Sequence, residues 1–109
     1  SSAGRTILYG TSACPGSASS PARVLKDTLE VHKLQPGDAL ITKQTDPGWA
    51  PIFPLIRSLV IERGGMLSHG AIVAREYGIP AVVGVHKVTE LIPDGQLIHV
   101  NGDQGYVEF

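Results

Sequence analysis

The sequence predicts an α/β domain in which strands outnumber helices, on three observations. Its 109 residues include 13 glycines and 8 prolines, together about a fifth of the chain against roughly an eighth in average usage, which argues against a long helical bundle. Short apolar runs alternate with Gly, Pro and Asn-Gly punctuation, the pattern of strands joined by turns. One segment, Gly70 to Tyr77, is rich in Ala, free of Pro and followed by Gly78, which reads as the best helix. Hydrophobic residues are 42% and charged residues 17%, enough for one core and too little charge for disorder. At this length roughly two thirds of the unfolded surface can be buried, so a single domain needs neither disulfides nor a structural metal.

Each element follows from local chemistry. Thr6-Ile7-Leu8-Tyr9-Gly10 is a β-prone run, and the small residues and breakers from Thr11 to Pro21 read as a turn that no helix tolerates. Ala22-Arg23-Val24-Leu25 resumes an extended pattern, with His32 and Lys33 in the connection that follows. Pro36-Gly37-Asp38 releases Ala39-Leu40-Ile41-Thr42 as a buried strand. Trp49 to Ile56 carries Pro51 and Pro54, so a helix there is short. Ser58 to Glu62 is a strand that stops at Gly64-Gly65, and Gly78 with Pro80 ends the helix before the strand Ala81 to Val85. Pro93-Asp94-Gly95 and Asn101-Gly102-Asp103 flank Gln96 to Val100, and with Gly105 to Phe109 they predict a terminal hairpin. Residues 1–5 read as a linker or a remnant of expression, and 6–109 as the domain.

Composition also excludes functions. The formal net charge is -1 with no run of Lys or Arg, so a dedicated nucleic-acid binder is not expected. No apolar stretch reaches the roughly 18 residues of a membrane span, and the single cysteine, Cys14, cannot form an internal disulfide. A cytoplasmic location is the expectation.

The chemistry concentrates between Leu59 and Val85, in the order strand, Gly-Gly, polar pair, helix, Gly, Ile-Pro, strand. Such a crossover places the loop Gly64 to Gly70 at the carboxyl end of a strand and the amino end of a helix, where ligand sites of α/β sheets lie. His69 then stands at the helix start. Unpaired N–H groups and the macrodipole disfavour an imidazolium there and welcome an anion, so a neutral, nucleophilic imidazole that accepts a phosphoryl group fits the position. Gly65 and Gly70 leave the backbone open, and Ser68 can donate to a phosphate oxygen or orient the ring. The blander readings are a surface histidine, Ser68 as a simple N-cap, a tight turn at Gly64-Gly65, and Arg75 with Glu76 as a solvated pair or structural bridge.

Other chemistries fit less well. Ser68 is followed by Gly70 but preceded two positions earlier by Met66, so the hydrolase elbow is half missing. His32, His69, His86 and His99 are scattered singly, so no metal site is expected. No Gly-Lys-Ser or Gly-Lys-Thr loop and no dinucleotide fingerprint occur, so any phosphoryl donor is held elsewhere.

From Gly64 through Gly84 the sequence resembles the phosphohistidine signature of the PEP-utilising enzymes, which include phosphoenolpyruvate synthase, pyruvate phosphate dikinase, enzyme I of the sugar phosphotransferase system and rifampin phosphotransferase. Cys14-Pro15-Gly16-Ser17-Ala18 with Ala22-Arg23-Val24, Thr45-Asp46-Pro47-Gly48-Trp49 with Pro51, and the closing Asn101 to Gly105 extend the likeness over nearly the whole chain from about Ile7. The resemblance implies a swivelling β/β/α domain whose His69 carries the phosphoryl group. Ser68, Gly65 and Gly70 would assist the phosphate and Arg75 would support the loop.

It further implies a parent enzyme using ATP and Mg2+, with no cofactor bound by this domain. The partners implied are a nucleotide-binding, ATP-grasp-like (or PEP-binding) domain and an acceptor domain. A synthase-like parent is the first expectation and a rifampin phosphotransferase-like one the second. Leu67 stands where many members have Thr, so regulation by phosphorylation there does not carry over. A reading of another class is a docking or regulatory module that keeps the fold without the transfer, engaging partners through exposed Trp49 and Phe53.

Overall fold

A computed structural model describes residues 5–109, and the proposed linker therefore falls, apart from Arg5, outside the described residues. Eight strands run in the order β1 (Ile7–Tyr9), β2 (Thr11–Cys14), β3 (Ser17–Val24), β4 (Ala39–Thr42), β5 (Ser58–Ile61), β6 (Ala81–Val83), β7 (Leu97–Asn101) and β8 (Tyr106–Glu108). Helix α1 (His69–Tyr77) lies between β5 and β6, a short α2 (Val88–Leu91) follows β6, and two 3-10 turns cover Thr28–Lys33 and Pro47–Ile52. The spatial order is β1-β8-β7-β3-β4-β5-β6-β2. Strands β3 to β6 are mutually parallel, and the remaining pairs are antiparallel.

The outermost strands β1 and β2 are separated in sequence by Gly10 alone, so the sheet curls until its two ends meet there. A Cβ on Gly10 would lie 2.5 Å from the Val83 carbonyl oxygen, and no side chain fits that approach.

The four parallel strands are apolar on both faces because both faces are covered. Leu40, Leu59 and Ile61 pack toward α1 with Leu25, Trp49, Ile52, Phe53, Ala71 and Ala74. Their alternating neighbours Ile41, Val60 and Val82 pack with Val88, Ile92, Ile98, Val100 and Val107. The terminal hairpin forms as expected, with Val100 opposite Val107. Helix α1 ends at Gly78, whose φ of 69° is left-handed and whose N–H returns to the carbonyls of Ala74 and Arg75, the termination that Gly permits.

Two expectations need correction. The segment Thr11 to Pro21 is mostly strand, not turn: only Pro15-Gly16 breaks it, with Gly16 at φ 110°. Pro21 sits within β3 without a lost ladder bond. Ala22 donates to Gln96 on the β7 side, so residue 21 faces the β4 side, where pairing begins only at Ala22 with Ala39. Trp49 and Phe53 are 3% and 1% exposed, which removes the docking surface assigned to them. Asp46 accepts from Gly48 N–H at 2.8 Å, and with Pro47 in the first turn this cap starts a 3-10 turn that drives both aromatic rings into the core.

Candidate phosphoryl-transfer site

The loops that follow β4, β5 and β6 converge at the carboxyl edge of the parallel strands, the edge where α/β sheets place their ligands. His69 is the first residue of α1, as its sequence position suggests. Its ring is half-buried and held from two sides. The Thr45 hydroxyl lies 2.9 Å from Nδ1. Phe53 meets the ring edge-on, with centroids 6.2 Å apart and planes at 71°, and Phe53 in turn packs against Tyr77 at 6.0 Å. With Nδ1 engaged by Thr45, Nε2 is the ring nitrogen left for an incoming group.

The sequence alone does not single out Thr45 as a site residue. Its signal was present, because it opens the Thr-Asp-Pro-Gly-Trp segment, but only the fold shows that the residue before the Asp46 cap reaches the ring of His69.

The loop before α1 is stitched internally. Gly64 turns at φ 93°, and its hypothetical Cβ would lie 2.9 Å from the Ser68 Cβ. Ser68 donates from its hydroxyl to the Gly65 carbonyl at 2.7 Å and from its N–H to the same oxygen at 3.1 Å. Ser68 is the N-cap by position but makes no side-chain cap bond, and Thr45 takes the part of orienting the ring. The Ile72 N–H bonds the Ser68 carbonyl, leaving the earlier N–H groups of the helix, Gly70 and Ala71 among them, without intrahelical partners. They form the positive end of the helix beside the ring.

Gly65 has open space where a Cβ would stand, whereas a Cβ on Gly70 would strike Ile61 and come within 2.9 Å of the Thr45 hydroxyl. Gly70 therefore allows the close approach of α1 to Thr45, a packing role that its place in the loop did not reveal. Arg75 does not pair with Glu76: it donates to the carbonyls of Met66 at 2.5 Å and Ala13 at 3.1 Å, tying the loop to β2.

Two ionisable groups nearby are displaced. Burial raises the Cys14 thiol, with Arg75 opposing. Glu62, at the entry to the loop, is lowered chiefly by the Thr89 hydroxyl at 2.6 Å, and it also accepts from the Thr89 N–H. It thereby caps α2, an element that the sequence reading passed over.

No group of three or more His, Cys, Asp or Glu side chains suited to a metal occurs among the described residues, and no helix there is long and apolar enough to cross a membrane.

Comparison with known proteins places this geometry. Residues 34–105 match the family described as PEP-utilising enzyme, mobile domain. The chain is 50% identical over 101 residues to a rifampicin phosphotransferase of Bacillus cereus, covering 93% of this chain and 12% of that protein. It is 42% identical over 109 residues to the phosphoenolpyruvate synthase of Escherichia coli, covering 97% of this chain and 14% of that one. Among solved structures, enzyme I in solution aligns with a TM-score of 0.61 and 31% identity over 72% of this chain and 32% of the other. An aconitase X from Thermococcus kodakaraensis, at 17% identity and a TM-score of 0.66, covering 94% of this chain and 97% of the other, shares the fold. The chain thus spans about an eighth of the length of the curated relatives it matches. With the matched residues running from the end of the first 3-10 turn to the terminal hairpin, His69 and Thr45 included, this chain belongs to the mobile-domain family of the PEP-utilising enzymes.

Proposed function

We propose that residues 6–109 act as a phosphoryl carrier in which Nε2 of His69 receives a phosphoryl group from a donor bound outside the domain and passes it to an acceptor bound outside it. The single observation that carries this reading is Thr45 Oγ1 at 2.9 Å from His69 Nδ1. For Nε2 to attack, its lone pair must be free and Nδ1 must hold the proton, and a hydroxyl acceptor at Nδ1 favours that tautomer. In the first half-reaction the Nε2–P bond forms and the donor O–P bond breaks, the leaving oxygen taking the electron pair. The Nδ1 proton stays against Thr45, so no separate base is required. In the second half-reaction an acceptor oxygen attacks phosphorus, and the pair of the N–P bond returns to Nε2.

The loop around His69 supports movement into other clefts. Leu67 is 88% exposed and Met66 53% exposed, an apolar tip beside a charged intermediate. Such a tip is suited to excluding water once it enters another domain. The partners are proposed to be an ATP-grasp-like, nucleotide-binding (or PEP-binding) domain and an acceptor domain of a longer chain. ATP and Mg2+ would be held there, in the cytoplasm. The identities of 50% with rifampicin phosphotransferase and 42% with phosphoenolpyruvate synthase support the first branch for the parent ahead of the synthase-like parent expected from sequence.

The test is labelling of the parent enzyme with a radioactive donor, ATP or PEP. Wild type is expected to acquire an acid-labile, alkali-stable phosphate that His69→Ala abolishes. Label persisting in His69→Ala overturns the reading, and no label on wild type with partner binding retained favours the docking module.

A further inference from the structure

Strand β3 has 8 residues, twice the 4 of β4, the strand it joins in parallel. Its first half, Ser17 to Pro21, pairs with β7, and its pairing with β4 begins only at Ala22 opposite Ala39. Successive residues of a strand send their N–H and C=O groups to opposite sides. The Gly16 carbonyl accepts from Gly102 at 2.7 Å and Ala22 donates to Gln96 at 2.7 Å, both on the β7 side. Ser17 and Ser19 therefore turn their backbone groups toward the β4 side, where no strand pairs with them among the described residues. Both serines are exposed, so β3 presents a free edge.

The residues that would extend β4 along this edge are diverted toward β5. Gly37 turns at φ 90° and donates to the Leu55 carbonyl at 2.8 Å, and the Asp38 carbonyl accepts from the Arg57 N–H at 2.8 Å. A groove of about 450 Å³ is left at the amino ends of the parallel strands, where Ser17 meets Gly37, Leu55, Arg57, Gly78 and Ile79. Neither Gly37 nor Gly78 has an atom within 4 Å of the place a Cβ would take, so the groove is open at both. Leu55 is 43% exposed there. Arg57 belongs to none of the ion pairs among the described residues, and no Asp or Glu lines the groove.

We propose that this groove takes an extended segment of the longer parent chain, which adds a strand to β3 at Ser17 and Ser19 and carries an aliphatic residue for Leu55 and a carboxylate for Arg57. Main-chain bonds to a free edge give such a contact its affinity, and the side-chain contacts give it selectivity. Three extended residues, about 10 Å, span both serines, and an unpartnered guanidinium accepts a carboxylate through two parallel bonds. A segment of the same polypeptide meets the groove at the high effective concentration of an intramolecular contact. The proposal rests on residues 6–109 being one domain of a longer chain, not on the chemistry of His69. The groove lies at the amino edge of the parallel strands and His69 at the carboxyl edge, so the segment holds the domain without covering the ring.

The test is hydrogen exchange resolved to single amides in the parent enzyme, for wild type, Arg57→Glu and Arg57→Lys, at two protein concentrations. In wild type the Ser17 and Ser19 amides are expected to exchange roughly 10-fold or more slowly than a free chain, equally at both concentrations. Arg57→Glu is expected to return them most of the way to the free-chain rate, and Arg57→Lys to keep most of the protection. Ala18 and Ser20, which face β7 opposite Val100 and Ile98, stay protected in all three proteins and report an intact fold.

Free-chain exchange at Ser17 and Ser19 in wild type overturns the proposal. Protection that grows with protein concentration also overturns it, because the occupant is then a second copy. Protection unchanged in Arg57→Glu removes the carboxylate and overturns the occupant proposed. Loss of the His69 label in the radioactive-donor assay contradicts the carrier reading alone, and the exchange result stands apart from it.

Discussion

Thr45 and His69, 24 positions apart in the chain, meet at 2.9 Å between hydroxyl and Nδ1, so one side chain on the loop after β4 fixes the orientation of the ring that begins α1. In the proposed carrier, this contact leaves Nδ1 to hold the ring and Nε2 to react. Removing the hydroxyl while keeping the shape, Thr45→Val, should lower the rate of His69 phosphorylation by roughly 5- to 10-fold, the worth of one hydrogen bond of about 1 kcal/mol. Thr45→Ser should retain most of the rate, and quenched-flow labelling compares the three proteins.

The two loop glycines should respond in opposite ways to the same substitution. Gly70→Ala forces a methyl against Ile61 and the Thr45 hydroxyl, so it should destabilise the domain by about 1–3 kcal/mol. Gly65→Ala meets open space and should stay within about 0.5 kcal/mol of wild type. Thermal unfolding separates them, and equal effects would remove the packing role assigned to Gly70.

Arg75 anchors the loop from the last turn of its own helix, through the Met66 carbonyl. Arg75→Ala should leave the core intact and loosen the turn that Ser68 makes with Gly65. Hydrogen exchange at the Ser68 amide should speed up by roughly 5- to 10-fold, consistent with losing about 1 kcal/mol of local stability. Exchange in β4 and β5 should not change.

Glu62 gives the domain a pH signature. Its carboxyl is held low chiefly by the Thr89 hydroxyl, so its folded pKa lies below its unfolded one. The stabilisation is complete above the unfolded value of about 4.3 and disappears as pH falls through the folded value. Glu62→Gln should therefore be less stable than wild type by about 1 kcal/mol at pH 7, a modest figure because the pair is only half-buried. The difference should close as pH falls through the lowered folded value, below the ordinary glutamate range. Urea unfolding at several pH values reads it directly.

Much of this was legible because it is local. The helix from His69 to Gly78 is written in its Ala residues, its lack of Pro and its left-handed Gly78. The position of His69 at the helix start follows from Gly64-Gly65 before it and Ile79-Pro80 after it. What was not legible depends on distant contacts. The segment Thr11 to Pro21 looks like a turn because Ser, Ala, Gly and Pro have weak strand preference. It forms strands because β6 and β7 offer partners that only the closed sheet brings near. Trp49 and Phe53 look like surface aromatics in a Pro-rich stretch, and only the Asp46 cap turns them inward. The helix α2 is four residues long, too short for a periodic signal, although Val85, Val88 and Ile92 share one buried side. Thr45 reads as part of a capped turn, and its contact with His69 exists only once β4 and β5 pair.

The central claim is that Thr45 reserves Nδ1 of His69 and leaves Nε2 to carry the phosphoryl group. The direct measurement is the phosphorus–nitrogen coupling in 15N-histidine-labelled protein phosphorylated with phosphoramidate. The arrangement predicts a single phosphorylated histidine, His69, with phosphorus coupled to Nε2. Coupling to Nδ1, or phosphate found on Ser68 with His69 unmodified, would contradict it.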